Sequence, residues 1–339
     1  LGRDIPVLPG GGMRMLKNAL SIARKEFADA VTSKRLWLIA GIFLLFSIAS
    51  TYSTSFGFRI GARQTTRPMV QIASSIASAT AYMAPLLGIA LAFDAISGER
   101  ERGTLRILLS RPIYREDVIN GKIMSALAVI GLTITISSLA AVSVSILLHN
   151  ISVTVDDVSR IGLFILFSVV FSFAYYALSL FVSTFSSKSS HSLVISIGIW
   201  IFFAFILSIM SSFIATAILG PPPTRALTLF NMSRRQFGNF TTPGGATPQE
   251  LEEYLNYVRK VSEISGTIQA FSINYHYTQI TSSLFSFVAG PLGFGRREIT
   301  IASIPTILST RLIDIIILIV FPIVFLVASY MVFTRRQEK

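Results

Sequence analysis

The chain has 339 residues, 52% of them hydrophobic and only 14% charged, with a mean hydropathy of +0.66 and a formal net charge of +12. Soluble domains carry roughly 25% charged residues, so the apolar excess points to lipid-facing surface rather than to a larger water-soluble core. The absence of cysteine excludes disulfides, thiolate metal sites and a cysteine nucleophile. No basic stripe interleaved with aromatics supports nucleic-acid binding; the positive charge fits basic loops beside anionic lipid.

In chain order, Leu1 to Gly12 lacks the basic-then-apolar pattern of a signal peptide and reads as a flexible tail. From Arg14 to Lys34, Leu16, Leu20, Ala23, Phe27 and Val31 share one helical face, with Lys17, Arg24, Lys25 and Lys34 elsewhere. That pattern predicts an amphipathic helix lying in a membrane interface. A membrane helix needs about 20 mostly apolar residues, and six stretches qualify. They are Leu36 to Tyr52, Met69 to Phe93, Ile123 to Leu148, Ile161 to Phe185, Leu193 to Leu219 and Leu312 to Phe333, the last kinked at Pro322. No repeat of period 20–50 is present. The fold class is an all-α integral membrane protein with six transmembrane helices.

An even number of spans places both termini on one side. Arg3, Arg14, Lys17, Arg24, Lys25, Lys34 and Arg35 precede the first span. Arg100, Arg102, Arg106, Arg111, Arg115 and Lys122 follow the second, Lys188 follows the fourth, and Arg335, Arg336 and Lys339 close the chain. The short opposite loops hold only Arg59, Arg63, Arg67 and Arg160. The bias makes the termini cytoplasmic, because basic loops stay inside. Three glycosylation sequons, at Asn150, Asn231 and Asn239, all fall on the outer side, where they read either as acceptors or as plain polar loop.

Residues 220–311 are too long for a bare loop. Thr247-Pro248-Gln249-Glu250 has capping-box spacing. Leu251, Leu255, Val258 and Val261 follow at helical spacing, with Gly266 ending the run. Phe271, Tyr275, Tyr277, Phe285, Phe287 and Phe294 form an aromatic stretch suited to packing, with substrate contact as the alternative. The segment predicts a small helical outer domain on the membrane helices. The chain therefore divides into 1–35 (tail and interfacial helix), 36–219 (five spans, with a cytoplasmic loop at 94–122), 220–311 (outer domain) and 312–339 (last span and tail).

The loop between the second and third spans is the most distinctive stretch. It runs from Asp94 through Gly98-Glu99-Arg100-Glu101-Arg102-Gly103-Thr104-Leu105 to Leu108-Leu109-Ser110-Arg111-Pro112 and Arg115. Glu99 is spaced to pair with Arg102 one turn on. Leu105, Leu108 and Leu109 form a short apolar face, and Pro112 stops the helix. Glu116 and Asp117 suit the start of the next one. The result is a short, stiff, charged helix on the cytoplasmic surface, a surface an ATPase could push; an ordinary solvated loop is the competing reading.

This run resembles the signature of type-2 ABC transporter permeases, and more narrowly the group that includes the permease of nitrous-oxide-reductase maturation. The interfacial helix, six spans and enlarged segment before the last span are similar to that family's layout. The outer segment departs from it, since the family's is often short, with small re-entrant helices. The resemblance implies that Glu99 to Leu105 lie at or near an ATPase contact. Gly103 would allow close approach, Leu105 would be an apolar contact, and the charges would set register and orientation. It also implies two permease chains, alike or related, with two ATP-binding subunits, export of cargo, and location in the plasma membrane.

The sequence has no GxxxxGK[ST] phosphate loop, HExxH or GxSxG, so ATP and Mg belong to a partner subunit and the chain itself binds no cofactor or metal and is not an enzyme. His149 and His276 fall outside and His191 inside, which precludes a shared metal site; each reads as a surface or interface polar group. Arg311 and Asp314 are spaced to pair at the start of the last span. The few intramembrane charges suit an amphipathic, lipid-like or peptide substrate. A membrane scaffold whose outer domain binds an extracellular partner is the rival reading, and a lipid-modifying enzyme the third.

Overall fold

A computed structural model describes residues 11–59, 68–104, 115–149, 152–221, 248–285 and 302–335. The regular structure among them is all helical: α1 (Gly11–Thr32), α2 (Lys34–Arg59), α3 (Pro68–Ala92), α4 (Ser97–Glu101), α5 (Arg115–His149), α6 (Val155–Phe185), α7 (Ser189–Leu219), α8 (Pro248–Gln269), α9 (Ile273–Phe285), α10 (Ile304–Thr310) and α11 (Leu312–Arg335). Six helices are long and apolar enough to cross a membrane: α2, α3 with its extension, α5, α6, α7 and α11. They correspond one to one with the six apolar stretches. Helices α5 and α6 begin earlier than hydropathy alone indicates, at Arg115 and Val155. Their first turns are acidic, which suits a helix N-terminus. At α6, Thr154 and Asp157 also form a reciprocal capping box.

Helices α3 and α6 form the centre. Ile72, Ile76, Ala84, Leu87 and Ile89 of α3 and Phe171, Ala174, Tyr175 and Leu180 of α6 are buried. Gly88 permits the close approach. A Cβ there would lie 2.2 Å from the Ser172 carbonyl oxygen, far inside contact distance. The Ser172 hydroxyl donates to the Ala84 carbonyl at 2.7 Å, so the two backbones touch along a seam of small residues. At the periphery, only 6% of the apolar stretch of α7 is buried. Such a surface needs lipid or another apolar partner.

Helix α7 carries a π-helical turn at Phe202–Ile206, where the regular backbone ladder is broken. The Phe203 carbonyl there accepts the Ser272 hydroxyl at 3.2 Å. Helix α8 runs along the upper part of α7, joined by Gln269 to Ser211 at 2.9 Å and Tyr257 to the Gly220 carbonyl at 2.8 Å. It continues through Gly266 to Gln269. Gly266 does not stop the helix: it is a contact point, where a Cβ would lie 3.0 Å from the Tyr275 hydroxyl.

Helix α9 enters the bundle rather than sitting on top of it. Tyr277 stacks on Phe171 with centroids 4.1 Å apart, and its hydroxyl bonds Ser168 at 2.8 Å. Tyr175 hydrogen-bonds Asn274. His276, expected as a surface or interface group, is buried. Its ring nitrogens meet Asp314 at 2.6 Å and the Ala270 carbonyl at 2.8 Å. Arg311 and Asp314 pair as the spacing predicts, at 3.5 Å. Arg160 is buried as well, bonding Asp156 at 2.9 Å and the Leu284 and Ala302 carbonyls at 2.8 Å each. It therefore straps α6 to both ends of the α9–α10 connection. Of the aromatic stretch, Tyr277 and Phe285 are buried and Phe271 is exposed; Phe287 and Phe294 lie outside the described residues. So do Thr247 and the sequon residues Asn150, Asn231 and Asn239.

Candidate coupling site

Opposite the α9 end, the α1–α2 junction, α4, the start of α5 and the α6–α7 turn converge. Helix α4 has no capping side chain of its own at its N-terminus. Ser183 of α6 supplies the need, accepting from the amides of Ile96 at 3.1 Å and Ser97 at 3.0 Å, which would otherwise be orphaned. Next, the Arg100 guanidinium donates to the Ser186 and Thr184 carbonyls at the end of α6. Glu101 accepts from the Ser189 amide at 3.1 Å and from its hydroxyl. Adjacent residues of opposite charge thus face opposite helix poles, Arg100 on the carbonyl end of α6 and Glu101 on the amide end of α7. Each sign matches the dipole it meets.

Glu99 does not pair with Arg102. It turns inward to Lys122 of α5, whose ammonium lies 2.8 Å from Glu99 and 3.0 Å from Glu26 of α1. The Lys122 side chain is only 5% exposed. A buried lysine requires partners of opposite charge, and the inward carboxylate outcompetes a solvated one-turn pair. Three elements, α1, α4 and α5, therefore meet at one ammonium. A fourth joins through Asp94, which bonds Arg35 of α2 at 2.7 Å. The Arg35 guanidinium also lies 5.8 Å from the centre of the Phe93 ring.

Gly98 is buried, with 3.1 Å between a notional Cβ and the Asp94 side chain. Gly103 has φ +71, with nothing within 4 Å of a notional Cβ. Its role within this chain is the left-handed turn that ends α4, not close packing. The charged helix is thus interrupted at Gly103 rather than continuous through it. The Thr104 hydroxyl closes the end by donating to the Glu99 carbonyl at 3.2 Å. Glu101, Arg102, Gly103 and Thr104 are exposed, whereas Glu99 and Arg100 are directed into the protein. Leu105, Leu109, Arg111 and Pro112 lie outside the described residues. Arg115 opens α5.

Helix α1 docks on α5 through Ala19, Ile22, Ala23 and Glu26. A Cβ on Gly121 would lie 2.6 Å from Ile22. Ala23, from the apolar face read in the sequence, is buried here together with Ala19, whereas Leu20 of the same face is 43% exposed. Small residues face α5 because they let the helices approach. The Lys122 cluster, the α1 docking face and the clamp by Arg100 and Glu101 were not foreseen from sequence. The only local signal was the run of alternating charge. Among the described residues, no group of three His, Cys, Asp or Glu side chains could hold a metal ion.

A sequence model of the family described as "ABC-2 family transporter protein" matches residues 20–337. Among individual relatives, the "Probable ABC transporter permease protein NosY" of Pseudomonas aeruginosa is 30% identical over 184 residues, covering 54% of this chain and 66% of that protein. The protein of the same description from Stutzerimonas stutzeri is 26% identical over 191 residues, covering 56% and 68%. The first of these matches thus spans just under two thirds of its relative. A family match over nearly the whole chain, together with six membrane-length helices among the described residues and a charged helix locked between the second and third of them, makes this protein a member of the ABC-2 transporter family.

Proposed function

We propose that the chain exports an amphipathic, lipid-like or peptide substrate, and that separate ATP-binding subunits drive it through α4. In this reading two permease chains, alike or related, form the path, and two ATPase subunits dock on Glu101, Arg102, Gly103 and Thr104. ATP and Mg reside on those subunits. The termini and α4 are cytoplasmic, α1 lies in the inner interface, residues 220–311 lie outside, and the complex sits in the plasma membrane.

The observation that carries the reading is the wiring of α4. Its outer face is exposed, while Glu99 and Arg100 grip α5 and α6, Glu101 holds the start of α7, Lys122 carries the link on to α1, and Asp94 just before α4 is bonded to α2. A force on that face would reach five helices through hydrogen bonds and ion pairs. A two-state shift driven by nucleotide needs such differential contacts. Export is favoured because the type-2 permeases that the coupling loop resembles are mostly exporters, and the six apolar stretches carry few charged residues.

The absence of native cysteine makes a direct test simple. Single cysteines at Arg102 and Thr104 would be cross-linked in membranes containing the ATP-binding subunit. An adduct of permease plus ATPase is expected, with yield that changes when ATP is added. Adducts absent from both positions, with the ATPase present, would reject α4 as the contact. An impermeant maleimide at the same cysteines tests sidedness, labelling only opened or inverted vesicles if α4 is cytoplasmic.

A further inference from the structure

The Lys122 cluster is unbalanced. Two carboxylates, Glu26 and Glu99, share one ammonium, and Glu99 Oε2 is buried with no hydrogen-bond partner among the described residues. A buried carboxylate oxygen without a donor is costly. This oxygen belongs to a residue lining a cleft of about 680 Å³ between α1, α2, α3 and α5. That volume falls within the range of ligand sites.

The cleft has two chemistries. Its wall includes Ile39, Leu87, Leu91 and Val129, all apolar, and its rim includes Lys25, Lys34 and Arg102. These three cations make no ion pair among the described residues. Beside them, Asp94 is matched by Arg35, and Asp29 is an exposed rim carboxylate. The site thus offers an acceptor in need of a cationic donor, cations in need of an anion, and an apolar wall. On its α2 side the cleft is bounded by a helix whose apolar stretch is only 22% buried, a surface suited to lipid.

We propose that this cleft seats an inner-leaflet phospholipid with a primary-amine headgroup, of the phosphatidylethanolamine type. The ammonium donates to Glu99 Oε2 and balances the cluster. The phosphate meets the rim cations, and the upper acyl chain lies along the apolar wall. A primary ammonium has N–H donors, as lysine does. The quaternary amine of phosphatidylcholine has none, and phosphatidylglycerol carries no cation, so the site discriminates among the three. The leaflet assignment rests on the orientation proposed above; the headgroup preference does not.

Native mass spectrometry of the full chain, titrated with each of these three lipids in turn, tests the proposal. Phosphatidylethanolamine is expected to be retained about tenfold better than either of the others, the equivalent of one charge-assisted hydrogen bond. Ala90→Phe from α3 and Ala30→Phe from α1 each fill the cleft, and Glu99→Gln removes the carboxylate charge. Each is expected to bring the preference within about twofold. Equal retention of the three lipids by the unmodified chain overturns the proposal and requires no variant. Preference persisting in a monodisperse cleft-filled variant overturns it too. Cross-linking of the Thr104→Cys chain, which keeps all three rim cations, in membranes holding the ATP-binding subunit, with the same lipid titration run on that chain, separates the two readings. Adducts without lipid preference remove only the headgroup site, while preference without adducts removes only the ATPase contact.

Discussion

Replacing Lys122 with methionine isolates the junction between α1, α4 and α5. The substitution keeps the length of the stem and removes the ammonium that lies 2.8 Å from Glu99 and 3.0 Å from Glu26. Two carboxylates then face each other without a cation. Removing one partner of a buried pair costs about 3–5 kcal/mol. Glu99 and Glu26 keep 16% and 26% of their side-chain surface exposed, so solvent screens part of the repulsion and about 3 kcal/mol is the expected loss. The assay is unfolding by sodium dodecyl sulfate titrated into a mild detergent, followed by tryptophan fluorescence and size exclusion. The companion variant carries Lys122→Met, Glu26→Gln and Glu99→Gln. It strands no charge and is expected to regain most of the loss. If the cluster also transmits force from the ATPase, this companion folds yet fails to couple ATP hydrolysis to transport. A Lys122→Met chain within about 0.5 kcal/mol of the parent would refute the reasoning, because that is the range of ordinary surface substitutions.

Five further outcomes follow from the geometry. Gly88→Ala forces a methyl against the Ser172 carbonyl and is expected to cost about 3 kcal/mol. Gly131→Ala, with nothing within 4 Å, is expected to be neutral or to stabilise by up to about 1 kcal/mol; thermal melting in detergent compares the two. Arg160→Met strands the Leu284 and Ala302 carbonyls and is expected to cost about 3 kcal/mol, read as earlier proteolytic cleavage between α9 and α10. Gly103→Ala strains a residue at φ +71 by about 1–2 kcal/mol. Amide exchange over residues 97–104 should quicken while global melting is unchanged. Glu99→Lys with Glu101→Lys is expected to lower the folded yield as well as coupling, because Glu99 is an inward-facing partner of Lys122 rather than a surface charge.

The membrane-spanning helices were legible because each depends on a local property. About 20 apolar residues must run together whatever they pack against. The capping pair Thr154 and Asp157 and the i,i+3 pair Arg311 and Asp314 are also short-range features, although only the second was read in advance. The run from Gly98 to Leu105 marked the family for the same reason, being contiguous. Tertiary structure decided the partners. Lys122 lies 96 positions from Glu26, and Arg160 lies 142 from Ala302. No periodicity reports such pairings. Glu99 had a plausible neighbour in Arg102, and only burial of Lys122 draws it the other way. Gly88 and Gly103 look alike in sequence, yet one admits a neighbouring backbone and the other supplies a positive φ. Apolar length is set residue by residue along the chain, whereas the choice of ion-pair partner is set by which charges the packed helices leave without water.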